Sequence, residues 1–294
     1  MTDIIASPSV RALAREKGID IGVLARDLRR NNIVREDLED RKSAAINEVT
    51  GDTSYWDVDH SRYGSVTEEP VSRFAQVAAA NLAAAQTLIP AVTHHERAYI
   101  SAVETWRQEL KPEAQARGVK LTALAFHVVA LARCLEEFPR FNASLSADGK
   151  TLVYKEYVHI GIAVDTPHGL MVPVLRDAQN KGLWQIAEEI ADLASRAQKR
   201  KVGADEMGGA SMTITNLGGI GGVGFTPIVN PPEVAILGLT RPETIPVWDG
   251  HAFQPVPVVS VDLSYDHRVI NGADAARFSA RYSALLSDPR RLVV

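Results

Sequence analysis

The sequence predicts an α+β fold, a sandwich of helices against one large mixed sheet, preceded by a small helical domain. Three observations lead there. Strand-like runs recur at 157–165, 170–174, 211–215, 234–239 and 257–265, while helical periodicity covers 183–200 and 273–286. A hydrophobic share of 46% over 294 residues is enough for one sizeable core plus a small accessory domain. Residues 41–54 are polar and aperiodic and read as a linker, dividing the chain into a domain at 1–40 and a larger one at 55–294.

From the N-terminus, residues 7–18 form a short helix. Ser7 is a natural N-cap, Pro8 fits the first turn, and Gly18 suits the stop. A second short helix is expected near 35–39. A helical pair of about 35 residues has little core, so its use is docking. Arg26, Arg29 and Arg30 suit an acidic partner, and equally a solvated charge run. The larger domain opens with a helix at 71–88, a strand at 91–100 and a helix at 101–115. An apolar helix over 121–135 then carries the single cysteine, Cys134, which reads as a small buried hydrophobe.

Composition excludes several function classes. A net charge of −4 gives no general attraction to nucleic acid or to anionic membranes. One cysteine permits no disulfide framework within the chain and fits a reducing compartment, so the expected location is cytoplasmic. No apolar run approaches the ~18 residues of a membrane span, and the start has no basic-then-apolar signal.

Chemistry concentrates near the C-terminus. In Ser264-Tyr265-Asp266-His267-Arg268-Val269-Ile270-Asn271-Gly272, a histidine ends a strand-like run, a carboxamide stands four residues on, and a helix begins at Gly272. A neutral imidazole on a rigid strand end can take a proton from a thiol near pH 7, and the residue four places later can fix the turn that holds the ring; taken alone, His267 reads equally as a hydrogen-bonded structural histidine. Upstream, the segment 211–219 alternates small polar and apolar residues before a glycine turn, which places Thr215 at a strand exit. The segment 225–238 is a proline-stiffened loop feeding a buried strand.

These segments resemble the dihydrolipoyl acyltransferase component of 2-oxo-acid dehydrogenase complexes, whose catalytic domain is similar in fold to chloramphenicol acetyltransferase. The resemblance runs from 58 to 294 and rests on four motifs. They are His267 to Gly272, the hydroxyl segment Thr213-Ile214-Thr215-Asn216, the strand Pro232-Glu233-Val234-Ala235-Ile236-Leu237-Gly238, and Val158-His159-Ile160-Gly161-Ile162-Ala163-Val164-Asp165-Thr166-Pro167. Within the family the acetyl-transferring, pyruvate-processing branch looks nearest, and it tolerates asparagine at Asn271. Val58-Asp59-His60-Ser61-Arg62-Tyr63-Gly64 resembles the arm with which family members reach along a neighbouring subunit. Ala91 stands where they usually carry histidine.

The resemblance implies a mechanism. Coenzyme A thiol, near ~8.5 when unperturbed, needs a base at neutral pH. His267 takes its proton, and the thiolate attacks the S-acyl-dihydrolipoyl carbonyl. Thr215 hydroxyl donates to the oxyanion, and Asn271 holds the imidazole. Family sites form between subunits of a trimer, so a trimer or a larger cage of trimers is expected. Arg107 and Lys111, four apart on the helix expected at 101–115, match a basic pair that would meet the nucleotide phosphate of coenzyme A; solvated surface charge is the other reading. The alternative overall is a non-catalytic scaffold that keeps the acyltransferase fold.

The small domain resembles the family's peripheral subunit-binding domain through Ala6-Ser7-Pro8-Ser9-Val10-Arg11 and Ile33-Val34-Arg35-Glu36-Asp37-Leu38. It implies 2-oxo-acid decarboxylase and dihydrolipoyl dehydrogenase components as partners. The glycine-rich loop of family members is replaced by Arg26-Asp27-Leu28-Arg29-Arg30-Asn31-Asn32, with Asn32 where the partner-binding arginine would stand. No lipoyl domain lies within the 294 residues, so the lipoyl group is expected from a separate carrier domain or chain.

Other motifs carry less. Gly219-Ile220-Gly221-Gly222-Val223-Gly224 satisfies a dinucleotide fingerprint but runs into Thr226-Pro227 instead of a helix. His94, His95, His159 and His168 lack metal-ligand spacing, so no metal is expected. No nucleophile elbow supports Ser-His-Asp hydrolysis.

Overall fold

The computed structural model describes residues 5–16, 21–27, 32–34, 37–38, 56–167 and 169–292. The chain divides into two compact units, Met1–Ala83 and Ala84–Val294.

In the first unit, helix α1 (Pro8–Glu16) starts as its sequence predicts. Val10 N donates to Ser7 Oγ at 3.3 Å and Arg11 N to Ser7 O at 3.0 Å. Helix α2 (Ile21–Asp27) was not foreseen. It places Leu24 and Ala25 against Val10, Ala14, Ile33 and Leu38 in a small core. Strands β1 (Ile5–Ala6) and β2 (Asn32–Ile33) pair in parallel. Of the helix expected at 35–39 only Asp37 and Leu38 are described; Gly18, Arg29, Arg30 and the linker at 41–54 lie outside the described residues. Residues 57–72 form no regular element beyond a short 3₁₀ turn at His60–Arg62, where Asp59 Oδ1 accepts from Ser61 N at 3.1 Å. Trp56, Val58, Tyr63, Val66 and Val71 are all exposed. Helix α3 (Arg73–Leu88) follows.

The second unit is built on a mixed sheet. Its strands are β3 (Ala91–Tyr99), β6 (Ile160–Ile162), β7 (Val174–Leu175), β8 (Met212–Asn216), β9 (Ala235–Leu239), β10 (Glu243–Trp248) and β11 (Phe253–Asp266). The order is β10-β11-β9-β8-β6-β7, with β3 also on β11. β8 is parallel to β6 and β9, whereas β11 is antiparallel to β3, β9 and β10. A separate hairpin joins β4 (Ala143–Leu145) and β5 (Leu152–Tyr154).

Alternation along the strands gives the sheet two different faces. Met212, Ile214, Leu237, Leu263 and Tyr265 join one large buried cluster with Phe126 and Leu131 of helix α6 (Ala123–Glu137), Ile186 of α7 (Leu183–Gln198), and Phe278 and Tyr282 of α8 (Gly272–Ser287). The opposite face carries Thr213, Thr215, Ile236, Gly238, Asp262 and Ser264 in matching register. Ile236 there packs with Ala85, Ile89 and Val229. Cys134 is fully buried on α6, and burial pushes its thiol far above the ordinary range.

Two expectations are corrected, and one strand was not foreseen. The helix expected at 101–115 is two helices, α4 (Ser101–Glu109) and α5 (Lys111–Arg117), because Pro112 has no N–H for an unbroken ladder and is tolerated only in a first turn. Strand 170–174 shrinks to bridges Val164↔Met171 and Pro173↔Met207 plus β7. β10 was missed: Pro246 within it reads against a strand, yet proline is accepted outside a sheet's centre.

Candidate active site

His267 stands just past the end of β11, exposed, with its N–H donating to Pro90 O at 3.1 Å. The turn beneath it is fixed by Asp266. That buried carboxylate accepts Arg268 N at 3.0 Å and grips the Arg268 guanidinium at 2.6 to 3.1 Å, while Asp266 O accepts the N–H of Val269 and of Ile270 at 3.0 Å. The Tyr265 ring lies 5.9 Å from the imidazole. Asn271 acts in the same turn as the N-cap of α8, its Oδ1 accepting from Asp274 N at 2.9 Å.

Thr215 lies near the end of β8, partly exposed. Register sets it beside Gly238 on β9, Gly238 beside Asp262 on β11, and Asp262 beside His95 on β3. β11 runs antiparallel to β8, so His267 sits five residues beyond this row at the opposite end of the sheet. Five strand steps and two strand spacings separate the Cα atoms of His267 and Thr215 by about 19 Å. Side chains of these lengths do not bridge that gap, so the structure does not bring the two residues together within one chain.

A polar cluster lies at the start of β8, the end away from Thr215 and nearer the His267 turn, where Asp266 N donates to Val234 O at 2.8 Å. Thr213 Oγ1 donates to Glu233 Oε1 at 2.9 Å, and Asn230 Nδ2 donates to the same oxygen at 3.4 Å. Burial holds the Glu233 carboxyl above its usual range, against the pull of these hydrogen bonds. Lys155 Nζ donates to Ala210 O at 3.0 Å, and burial lowers its pKa although Glu233 opposes this. Asn142 is buried and donates from Nδ2 to Tyr157 O at 2.8 Å and Lys155 O at 3.1 Å.

Arg107 and Lys111 stand on two helices, which removes the single-helix face assumed for them. The Arg107 guanidinium is bonded to Glu104 at 2.7 to 3.1 Å and borders an open cleft of about 610 Å³ with Lys120, Thr122, Pro242 and Pro257. Lys111 is exposed at the start of α5.

Comparison with known proteins defines the class. The family model for the 2-oxoacid dehydrogenases acyltransferase (catalytic domain) matches residues 63–294, and this chain belongs to that family. An e3 binding domain model matches residues 4–39. The dihydrolipoyllysine-residue acetyltransferase component of the pyruvate dehydrogenase complex of Pseudomonas aeruginosa is 47% identical over 98% of this chain and 55% of its own length. Its Azotobacter vinelandii counterpart is 45% identical over 98% of this chain and 47% of its own length. The chain thus spans about half the length of these relatives. A structure of Azotobacter vinelandii dihydrolipoamide acetyltransferase, concerned with the roles of a serine, a histidine and an asparagine in its catalytic mechanism, superposes with a TM-score of 0.79 at 50% identity. It covers 81% of this chain and 98% of that one. The cubic core of a pyruvate dehydrogenase multienzyme complex matches with a TM-score of 0.79 at 51% identity over the same shares.

Sequence reasoning missed Asp262, His95 and Phe225. Asp262 is fully buried, with Oδ1 at 2.6 Å from His95 Nδ1 and Oδ2 accepting Phe225 N at 3.0 Å. A signal was present: an aspartate inside the apolar run from Val258 to Leu263 must find partners if it is buried.

Proposed function

We propose that this chain transfers an acetyl group between S-acetyl-dihydrolipoyl carriers and coenzyme A, as the core of a 2-oxo-acid dehydrogenase complex. One observation carries the reading. The serine, histidine and asparagine named for the half-identical Azotobacter vinelandii enzyme are spaced along its chain at the same intervals as Thr215, His267 and Asn271. A threonine keeps the serine's hydroxyl and adds a methyl that restricts its rotamers.

His267 removes the proton of the coenzyme A thiol, and the thiolate attacks the carbonyl carbon of the acyl-dihydrolipoyl thioester. Thr215 hydroxyl donates to the oxygen that becomes negative. The carbonyl re-forms as the dihydrolipoyl sulfur leaves and takes the proton from His267. Asn271 secures the turn that aims the imidazole. Arg107 and Lys111 are proposed to meet the nucleotide phosphate, Arg107 releasing Glu104 to do so.

Opposite placement of His267 and Thr215 on one sheet supports a site completed between protomers of a trimer, or of a cage of trimers. The exposed apolar residues of 56–72 support the same association. Residues 1–40 are proposed as the docking domain for dihydrolipoyl dehydrogenase and the decarboxylase, 41–54 as linker and 55–294 as the catalytic domain. The lipoyl group arrives on a separate domain or chain, in the cytoplasm. The test is acetyl transfer from acetyl-coenzyme A to dihydrolipoamide by the purified chain. His267→Ala should abolish it, and wild type showing no transfer beyond that variant would leave the scaffold reading instead.

A further inference from the structure

We propose that Phe225 is the wall that limits the length of the acyl group beside Thr215, and that Asp262 and His95 are positioning residues holding it there. The proposal rests on Thr215 being the oxyanion donor.

Thr215, Gly238, Asp262 and His95 form one row across four strands. Residues opposite one another in register project from the same sheet face, so these four share the face away from the main core. Gly238 is the gap in that row, and the Phe225 ring fills it. A Cβ placed on Gly238 would stand 2.6 Å from Phe225 Cζ and 2.9 Å from Cε1, well inside van der Waals contact. The ring therefore lies directly over the strand next to Thr215. With neighbouring strands about 4.8 Å apart, its edge is within roughly 5–7 Å of the Thr215 Cβ. That leaves room for an acetyl methyl group but crowds each further methylene.

The ring's position is set from its backbone. Phe225 N donates to Asp262 Oδ2 at 3.0 Å, and the other carboxylate oxygen is held by His95 Nδ1 at 2.6 Å. Asp262 is fully buried in mid-strand, where a carboxylate is costly unless both oxygens are engaged. His95 is more than half exposed, with its side chain at 58%, so the dyad reaches from solvent to the loop that flanks the hydroxyl. Neither residue lies close enough to Thr215 to touch the reacting atoms, so they act through Phe225.

The test compares acetyl-, propionyl- and butyryl-coenzyme A as donors to dihydrolipoamide, using the full chain. Phe225→Ala should raise the butyryl-to-acetyl ratio of kcat/KM by about 10- to 100-fold, as expected for one or two methylenes freed from a clash. Phe225→Leu, which keeps the apolar contact, should give an intermediate rise. Asp262→Asn and His95→Ala should raise the ratio about 3- to 10-fold with acetyl kcat falling less than its KM rises, and His95→Gln should return it toward wild type. A ratio within twofold of wild type in both Phe225 variants overturns the proposal. Thr215→Ala with undiminished acetyl transfer would instead remove the reading on which it rests.

Discussion

Mixing two inactive variants should restore activity. Alone, His267→Ala removes the base and Thr215→Ala the oxyanion donor, each costing about 10²-fold or more. In one protomer the two residues stand about 19 Å apart at opposite ends of the sheet, so under the proposed mechanism each site takes its histidine from one chain and its hydroxyl from the next. When the two variants are co-expressed, every mixed trimer contains one junction at which an intact histidine faces an intact threonine. Random assembly makes about three trimers in four mixed, with one site in three repaired, so about one quarter of wild-type turnover returns. The assay is acetyl transfer to dihydrolipoamide at equal total protein, with each variant alone as the blank. A co-expressed preparation of proven mixed composition that stays at the level of the blanks would refute the shared site.

Other outcomes follow from buried groups. Burial lowers the His127 pKa from 6.5 to about 4, its Nδ1 lying 2.6 Å from the Tyr282 hydroxyl oxygen on α8. Because this histidine stays neutral when folded, its contribution is whole above pH 6.5 and declines as pH falls toward 4, by about 3 kcal/mol in all; His127→Gln should flatten that part of the curve of unfolding free energy against pH. Glu233 has the opposite sign. Its folded pKa is raised above 4.5, so its contribution is whole below that pH and is lost as pH rises through the folded value, and Glu233→Gln should gain stability over wild type in denaturant melts near pH 8. Gly238→Ala should displace Phe225 and cost about 1–3 kcal/mol in the same melts. Asn271→Ala should lose the cap of α8, about 1 kcal/mol, and lower kcat through the His267 turn.

Legibility in the sequence followed locality. The run Ser264 to Gly272 contains its own strand end, turn and helix cap, so His267 and Asn271 were readable from adjacent residues. Thr215 was readable because a glycine turn ends its strand within three residues. The break between α4 and α5 was also written locally, in Pro112, but Arg107 and Lys111 at helical spacing outweighed it. Short elements with few side chains to repeat, such as α2 and the hairpin β4–β5, give periodicity too little length to register. The Asp262 contacts belong to a different category. His95 lies 167 residues from Asp262 and Phe225 lies 37, so only the strand register joins them.

The seclusion of Cys134 has a practical outcome. It is the chain's single sulfhydryl, and in the native state it is out of reach of alkylating and disulfide reagents. Colorimetric titration during turnover therefore counts coenzyme A and dihydrolipoamide with no background from the catalyst. The same atom becomes labelled only when α6 opens, which makes it a built-in gauge of global unfolding.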